Sequence, residues 1–177
     1  MKTDDKSPSK QSEPDEVYPN DKPLLVNDWN IYFWQGFRVQ LTEFEEILSK
    51  IRQKNPSGWE EKKSAKFILR VFRIILEEVP RDPPHPVYRQ GLTLGSENKH
   101  WRRVKFAGRF RLFFRFDLQT KTLVYVWLND DKTQRKAGAK TDVYNVFRSM
   151  LNKGKPPNSW DDLIRESKVL TIKDKPK

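Results

Sequence analysis

The stretch HWRRVKFAGRFRLFFRF, residues 100–116, alternates apolar and basic side chains on either side of Ala107-Gly108-Arg109. Before this break, Val104 and Phe106 share one face of the chain and two basic residues share the other. Alternation with a period of two is typical of half-buried strands, and a short connection containing glycine is typical of a hairpin. The stretch therefore predicts an antiparallel hairpin with one apolar face.

Two further strands are predicted beside this hairpin. Residues 122–128 are apolar on both faces, which is typical of an interior strand, and residues 118–121 supply the turn before it. Residues 88–94, closed by Gly95, are a weaker strand candidate. Together these runs predict a four-stranded antiparallel sheet.

Helical spacing of apolar residues predicts two helices before the sheet and two after it. The first begins at the capping box Thr42-x-x-Glu45 and ends before Asn55-Pro56, and the second runs from Ser57-Gly58-Trp59-Glu60 to about Val79. A third begins at about Thr141, and a fourth is capped by Ser159-x-x-Asp162. The order αα-ββββ-αα predicts an α+β fold with an N-terminal helical hairpin, an antiparallel sheet and C-terminal helices.

The ends of the chain differ in composition from its body. Residues 1–23 contain little that could be buried and are predicted to be a disordered tail. Residues 24–168 are predicted to be one folded domain, and residues 169–177 a flexible lysine-rich end. The polar N-terminus fits neither a signal peptide nor a transit peptide, and no apolar run approaches the roughly 18 residues that cross a bilayer. We therefore expect a soluble cytoplasmic protein with no membrane partner.

Composition excludes several classes of protein. The chain of 177 residues has no cysteine and only two histidines, so thiolate metal sites, disulfide scaffolds, cysteine nucleophiles and an all-histidine zinc site are excluded. Its 35 Lys+Arg and 24 Asp+Glu give a net charge of +11. Four lysines and six acids give residues 1–23 a charge of −2, which leaves +13 on residues 24–177. A basic body predicts a polyanionic partner, nucleic acid before an anionic membrane surface.

The basic charge is concentrated in residues 99–116, which contain seven cations and no acid. These cations are Lys99, Arg102, Arg103, Lys105, Arg109, Arg111 and Arg115. If the polar faces of the two hairpin strands coincide, Arg103, Lys105, Arg111 and Arg115 form one patch opposite an apolar core. A solvated outer face is the plainer interpretation, but solvated faces usually mix both signs, so phosphate contact is favoured.

Such a patch also has the groups that RNA cleavage requires. Arginines can stabilise the phosphorane, and Lys105 can act as acid or base if its cationic neighbours lower its pKa. His100 is either a proton shuttle or a surface residue. Asn129-Asp130-Asp131 is either a Mg²⁺ site or a turn, and the turn is favoured because few other carboxylates lie nearby in the sequence. The residues alone leave open a nucleic-acid-binding domain without catalysis and a metal-free ribonuclease.

Longer motifs bear on the choice between a binding domain and a ribonuclease. The stretches 88–116, which contains RQGLTLG and FRLFFR, and 124–163, which contains WLNDDKTQR, closely resemble the YhaV family of toxins from bacterial type II toxin–antitoxin systems. The resemblance extends from about Asn27 to Glu166 and includes NDWNIY and KNPSGWEEKKSAK. The family often has His-Pro where this chain has Trp34-Gln35, and the loop between the basic strands is one residue short.

This resemblance implies a RelE-like fold and an endoribonuclease that degrades mRNA on the ribosome without a metal or other cofactor. It also implies a cognate antitoxin resembling PrlF, an AbrB-type DNA-binding protein, whose complex with the toxin binds operator DNA. The implied catalytic residues are Arg103, Lys105, Arg111, Arg135 and Tyr144, of which Tyr144 stacks on a base. Lys99, His100, Arg102, Arg109 and Arg115 are the expected RNA-binding residues. A non-catalytic binding module, and a protein-interaction domain that binds an acidic antitoxin segment, remain the alternatives.

Overall fold

The computed structural model describes residues 18–19 and 23–170. Most of the predicted tail (1–23) and of the predicted flexible end (169–177) lies outside these residues. The regular elements are β1 (Tyr18–Pro19), β2 (Leu24–Val26), β3 (Trp29–Phe33), α1 (Gln35–Lys54), α2 (Lys63–Arg73), β4 (Arg102–Phe106), β5 (Phe110–Asp117), β6 (Thr122–Leu128), α3 (Val143–Asn152), α4 (Trp160–Lys168) and β7 (Val169–Leu170). The α+β class is confirmed.

The main sheet has five strands in the order β2-β3-β6-β5-β4, and β1 and β7 form a separate antiparallel pair. The predicted meander of β4, β5 and β6 is present, with Val104 opposite Leu112 and Leu112 opposite Leu128. β3, however, pairs with β6 in parallel. The prediction of four antiparallel strands, and the RelE-like layout expected with it, is therefore not matched by this mixed sheet.

The two additional strands come from the aromatic segment before α1. β2 and β3 form a hairpin whose turn residues, Asn27 and Asp28, both have positive φ angles of 49° and 65°. Asn and Asp tolerate this left-handed region, which a two-residue hairpin turn requires at both positions. β3 shows no alternation because Ile31 and Tyr32 point to opposite faces and both are buried. A strand covered on both sides loses the period-two signal.

The weaker strand candidate, residues 88–94, is not a strand. Only Arg89 forms a bridge to β4, and the following residues turn away. Gly91 and Gly95 have φ angles of 66° and 90°, which are incompatible with an extended strand. The Gln90 side chain accepts the N–H of Leu94 and holds the loop closed.

The helices begin at different residues from those that the capping boxes predicted. α1 begins at Gln35, so Thr42 lies inside it and donates its hydroxyl to the Arg38 carbonyl. α2 begins at Lys63, after a short 3₁₀ turn at Trp59–Glu61, and continues as a π-helical turn. The cap of α4 is confirmed, because Ser159 Oγ accepts the N–H of Asp162.

Both faces of the sheet are covered, and each carries an apolar core. α1 and α2 pack on one face, where Phe37 and Val71 contact a cluster that includes Leu112 and Tyr125. α3 and α4 pack on the other face, where Phe147 and Leu163 lie in a cluster with Phe113, Val124 and Val126. The face that the alternation marked as polar is therefore a second core along most of its length, and the basic residues lie at its margin.

We expect Phe147→Ala to destabilise the fold strongly. Phe147 is fully buried, and its ring stacks on Phe113 at a centroid distance of 4.0 Å and on Trp127 at 5.9 Å. Loss of a buried phenylalanine costs about 3–5 kcal/mol, which urea denaturation would measure. The control is Leu118→Ala, because Leu118 is 54% exposed and its loss should cost less than about 0.5 kcal/mol. Similar losses in the two variants would contradict the existence of the second core.

Candidate active site

Two arginines from neighbouring strands converge on one tyrosine. Arg103 of β4 and Arg111 of β5 donate their Nε–H groups to the hydroxyl of Tyr144 in α3, at 3.0 and 3.2 Å. Both guanidinium groups lie on the face of the sheet that α3 covers, because Arg103 is paired with Phe113 and Arg111 with Lys105 in the ladder. The hydroxyl of Tyr144 thus holds the two cations at a fixed spacing.

The same guanidinium groups are held by main-chain carbonyls. Arg103 Nη1 donates to Val87 O at 2.8 Å, and Arg111 Nη1 donates to Gly108 O at 3.0 Å and Phe110 O at 2.8 Å. Arg103 and Arg111 are only 7% and 6% exposed. Among the described residues no partner binds the Nη2 group of either arginine, so each has a pair of N–H donors available for an anion.

Lys105 lies next to this pair at the rim of the sheet. It is directly opposite Arg111 in the ladder, its side chain is exposed, and it has no ion pair within residues 23–170. Three uncompensated cations from two adjacent strands therefore meet at one end of the hairpin.

The start of α3 adds a fourth cation and an anion. Asp142 caps the helix by accepting the N–H of Tyr144 at 3.1 Å, and its carboxylate also accepts Arg135 Nη1 and the N–H of Lys136, both at 2.6 Å. Burial alone would raise the pKa of Asp142, but these hydrogen bonds and the charge of Arg135 outweigh it and hold the pKa below its ordinary 3.8. Arg135 lies over the ring of Tyr144, 5.0 Å from its centroid.

The ring of Tyr144 has one aromatic and one cationic neighbour. It is 4% exposed, lies edge-on to Phe113 and is covered by Arg135. Arg135 lies where a stacked base would contact the ring, and the stacking implied by the resemblance stays a prediction. In this structure Tyr144 contributes its hydroxyl group.

Arg115 does not belong to this cluster, contrary to the expected patch of four cations. Its guanidinium lies between the rings of Trp101 and Trp160, at 5.3 and 5.2 Å, and donates to Asn158 O at 2.8 Å. Burial lowers its pKa to about 10. Phe113 lies between Arg111 and Arg115 on this face, and its packing against Phe147 separates the two cations.

The other expected RNA-binding residues are dispersed. His100 is hydrogen-bonded to Asn158 Oδ1 at 2.7 Å, and burial lowers its pKa. Arg102 lies on the opposite face of β4, over the ring of Phe116, and its pKa is lowered by burial and by the charge of Arg89. Lys99 and Arg109 are exposed, the latter in the turn that precedes Arg111. The structure thus brings together Arg103, Lys105, Arg111, Arg135 and Tyr144, and we call these five residues the arginine–tyrosine cluster.

The acidic residues after β6 form a turn. Asp130 accepts the N–H of Lys132 and the hydroxyl of Thr133, and so caps a short 3₁₀ helix. Asp131 accepts a hydrogen bond from Gln134. Within the described residues, no group of three or more His, Asp or Glu side chains is arranged to hold a metal ion. The interpretation of 129–131 as a turn is confirmed.

Comparison of the sequence with known proteins identifies its family. The sequence profile of the YhaV toxins, described as a toxin with endonuclease activity, of a toxin–antitoxin system, matches residues 31–168. The chain belongs to the YhaV toxin family. Ribonuclease toxin YhaV of Escherichia coli strain K12 and Toxin YhaV of E. coli O157:H7 are each 39% identical over 149 residues, which cover 83% of this chain and 97% of theirs. Toxin YhaV of E. coli O6:H1 is 38% identical over the same shares. No solved structure matches this chain.

Membership of the YhaV family confirms the resemblance and makes the chain an endonuclease toxin of a toxin–antitoxin system with an antitoxin partner. The matched region contains the whole arginine–tyrosine cluster. Among the described residues, no helix has the length and apolar character needed to cross a membrane.

Sequence reasoning missed two residues that organise the site. Asp142 could have been identified, because an acid immediately before a predicted helix is a common N-cap. Asn129 has no comparable signal. Its side-chain contacts depend on how the segment after β6 lies against the hairpin turn, which is a tertiary feature.

We expect Asp142→Asn to destabilise the protein at pH 7 by about 1–3 kcal/mol, because it removes two accepted hydrogen bonds and leaves Arg135 unpaired. The folded-state pKa of Asp142 lies below its unfolded value, so this stabilisation is complete above the unfolded pKa and is lost as the pH falls through the folded pKa. Urea denaturation at pH 7 and pH 3 should therefore give a difference between the two proteins that narrows in acid.

The control for this variant is Asp162→Asn. Asp162 pairs with Arg165 at 2.6 Å, but both side chains are exposed, so its loss should cost less than about 1 kcal/mol. A pH-independent difference between wild type and Asp142→Asn would contradict the role assigned to the carboxylate.

Proposed function

We propose that this chain is an endoribonuclease toxin that cleaves mRNA on the ribosome, without a metal ion, at the arginine–tyrosine cluster. The relative in strain K12 is called a ribonuclease, and the similarity to it extends over nearly its whole length. The observation that carries the proposal is the convergence of Arg103 and Arg111 on the hydroxyl of Tyr144. This contact holds two guanidinium groups next to each other, and the Nη2 group of each can still donate hydrogen bonds.

The reaction at this site is attack of a ribose 2′-hydroxyl on the adjacent phosphorus, with departure of the 5′-oxygen. The negative charge of the phosphorane must be stabilised while one proton is removed and another is supplied. The unbound Nη2 groups of Arg103 and Arg111 can donate to the non-bridging oxygens. Because Nε and Nη1 of both arginines are hydrogen-bonded to protein atoms, the two groups need little reorganisation in the transition state.

Lys105 is the proposed proton-transfer or electrostatic group. Its exposed ammonium lies across the ladder from Arg111, within the reach of a substrate held by the two arginines. Arg135 adds a further cation next to Tyr144, and Asp142 fixes its position. Lys99, Arg102 and Arg109 then offer phosphate contacts along the edge strand β4 and its turn.

Metal independence is proposed because guanidinium groups can provide the charge stabilisation that a metal ion would otherwise supply. Asp142 is the acid in contact with the cluster, and its oxygens are already bound by Arg135 and two main-chain N–H groups. The carboxylates of Asp130 and Asp131 are engaged in their own turn.

The partners follow from charge and from family membership. We propose an antitoxin that resembles PrlF, contributes an acidic segment to the uncompensated cations, and carries the complex to operator DNA. A charge of +13 on residues 24–177 supports attraction to both RNA and an acidic segment. Cytoplasmic mRNA on ribosomes is the proposed substrate, and no membrane partner is proposed.

We expect Arg103→Ala, Arg111→Ala and Lys105→Ala each to slow cleavage by about 100- to 1000-fold, since each removes a cation next to the reacting phosphate. RNA affinity should fall much less, because a single phosphate contact is a small part of binding. Cleavage of mRNA by purified protein with and without ribosomes, together with growth inhibition, measures the effect.

Because Arg103 and Arg111 are buried, Arg103→Lys and Arg111→Lys accompany the alanine variants and keep the charge while removing the Nε bond to Tyr144. The matched control is Arg148→Lys, since Arg148 is a half-buried arginine of α3 that binds the carbonyl of Thr93. It should cleave at the wild-type rate. Weaker binding with undiminished cleavage in the cluster variants would favour the binding-module alternative for these residues.

We expect cleavage to persist in excess EDTA, since the proposed charge stabilisation comes from arginines. The measurement uses free RNA as well as ribosome-bound mRNA, because EDTA itself dissociates ribosomes. Loss of cleavage that Mg²⁺ restores on free RNA would contradict metal independence and direct attention to Asp130 and Asp131.

A further inference from the structure

Asn129, the first residue after β6, makes more contacts than a turn residue requires. It is 3% exposed. Its Oδ1 accepts the main-chain N–H of Arg111 at 2.6 Å, and its Nδ2 donates to Arg109 O at 3.1 Å and Thr133 O at 2.9 Å. One side chain therefore joins two main-chain segments, 109–111 and 129–133, that are about twenty residues apart in sequence.

These two segments carry or adjoin cations of the site. Arg109 and Arg111 lie in the hairpin turn and the start of β5, and Thr133 lies two residues before Arg135. The N–H of Arg135 donates to the same Arg109 carbonyl, at 3.1 Å. Asn129 thus ties the segment bearing Arg135 to the segment bearing Arg111.

The contacts also replace a missing part of the sheet. The ladder between β5 and β6 ends at the pair Leu112 and Leu128. Beyond it, the N–H of Arg111 points at the Asn129 side chain, which stands in for the next strand residue. The main-chain N–H of Asn129 also donates to Arg111 O, at 3.4 Å, so side chain and main chain of one residue bind both polar groups of Arg111. Without the side-chain acceptor, the Arg111 N–H would lose its partner on this side of β5.

We propose that Asn129 is a positioning residue, which fixes Arg111 and Arg135 relative to each other for RNA cleavage without touching the substrate. This inference rests on the proposed function of the arginine–tyrosine cluster. The contacts at residue 129 require a short side chain with one hydrogen-bond acceptor and two N–H donors. Asparagine has both. Aspartate has the same size but lacks the donors, and glutamine is one methylene longer.

The test compares Asn129→Ala with Asn98→Ala. Asn98 is a matched buried asparagine, 4% exposed, whose side chain binds Leu94 O and Asn158 and makes no contact with the cluster. Both variants should lose stability to a similar degree. We expect only Asn129→Ala to slow single-turnover cleavage, by up to about 100-fold, because displaced catalytic groups cost rate.

Two readouts separate positioning from a general loss of structure. The Kd for RNA should change by less than about twofold in Asn129→Ala, because no charge is removed. In an Arg111→Ala background the same change should slow cleavage by less than about threefold, since residues that act through one another are not additive. Equal slowing by Asn129→Ala and Asn98→Ala, or full additivity with Arg111→Ala, would overturn the inference.

If Asn129→Ala does not fold, Asn129→Asp tests the inference in its place. It keeps the acceptor for the Arg111 N–H but places a carboxylate oxygen against the Arg109 and Thr133 carbonyls, so folded protein should cleave slowly. Wild-type cleavage by a folded Asn129 variant would overturn the inference alone. Wild-type cleavage by Arg111→Ala would instead overturn the proposed function on which it rests.

Discussion

The site depends on one tyrosine hydroxyl that accepts hydrogen bonds from two guanidinium groups. Arg103 and Arg111 are both buried and bind the same oxygen atom. Two cations so close together would repel each other if they had no shared acceptor. The hydroxyl of Tyr144 uses both of its lone pairs on them, and main-chain carbonyls bind the remaining inner donors. The position of α3 on the sheet thus determines where the two guanidinium groups lie, because α3 carries that hydroxyl.

The two cores explain how α3 is held there. Phe147 of α3 packs flat on Phe113, the residue that follows the arginine-bearing end of β5 by two positions. Aromatic stacking on this face and the cap formed by Asp142 at the helix start fix the same helix from two sides. The apolar packing that excludes Arg115 from the cluster is the packing that brings Tyr144 over Arg103 and Arg111.

Local patterns were sufficient for the hairpin, the interior strand and the last two helices, because alternation and helical spacing report directly on which side chains are buried. Alternation also placed Arg103, Lys105 and Arg111 on one face. Local patterns failed to predict β3, because both of its sides are covered. They also predicted a strand at 88–94, where the Gln90 side chain instead closes a loop. The capping boxes at Thr42 and Ser57 predicted the wrong first residues for α1 and α2, because tertiary packing determines where these helices begin. The roles of Arg135 and Tyr144 came from resemblance, and their contact with Asp142 needed the structure.

The parallel pairing of β3 with β6 joins residues that are about ninety positions apart in the chain, and Tyr144 follows later still. Long-range pairings form only after the distant segment has been synthesised, so the sheet closes late in translation. A nascent chain that ends before residue 144 has its arginines but lacks the hydroxyl that holds them. An interrupted message therefore yields a fragment in which Arg103 and Arg111 lack their shared acceptor.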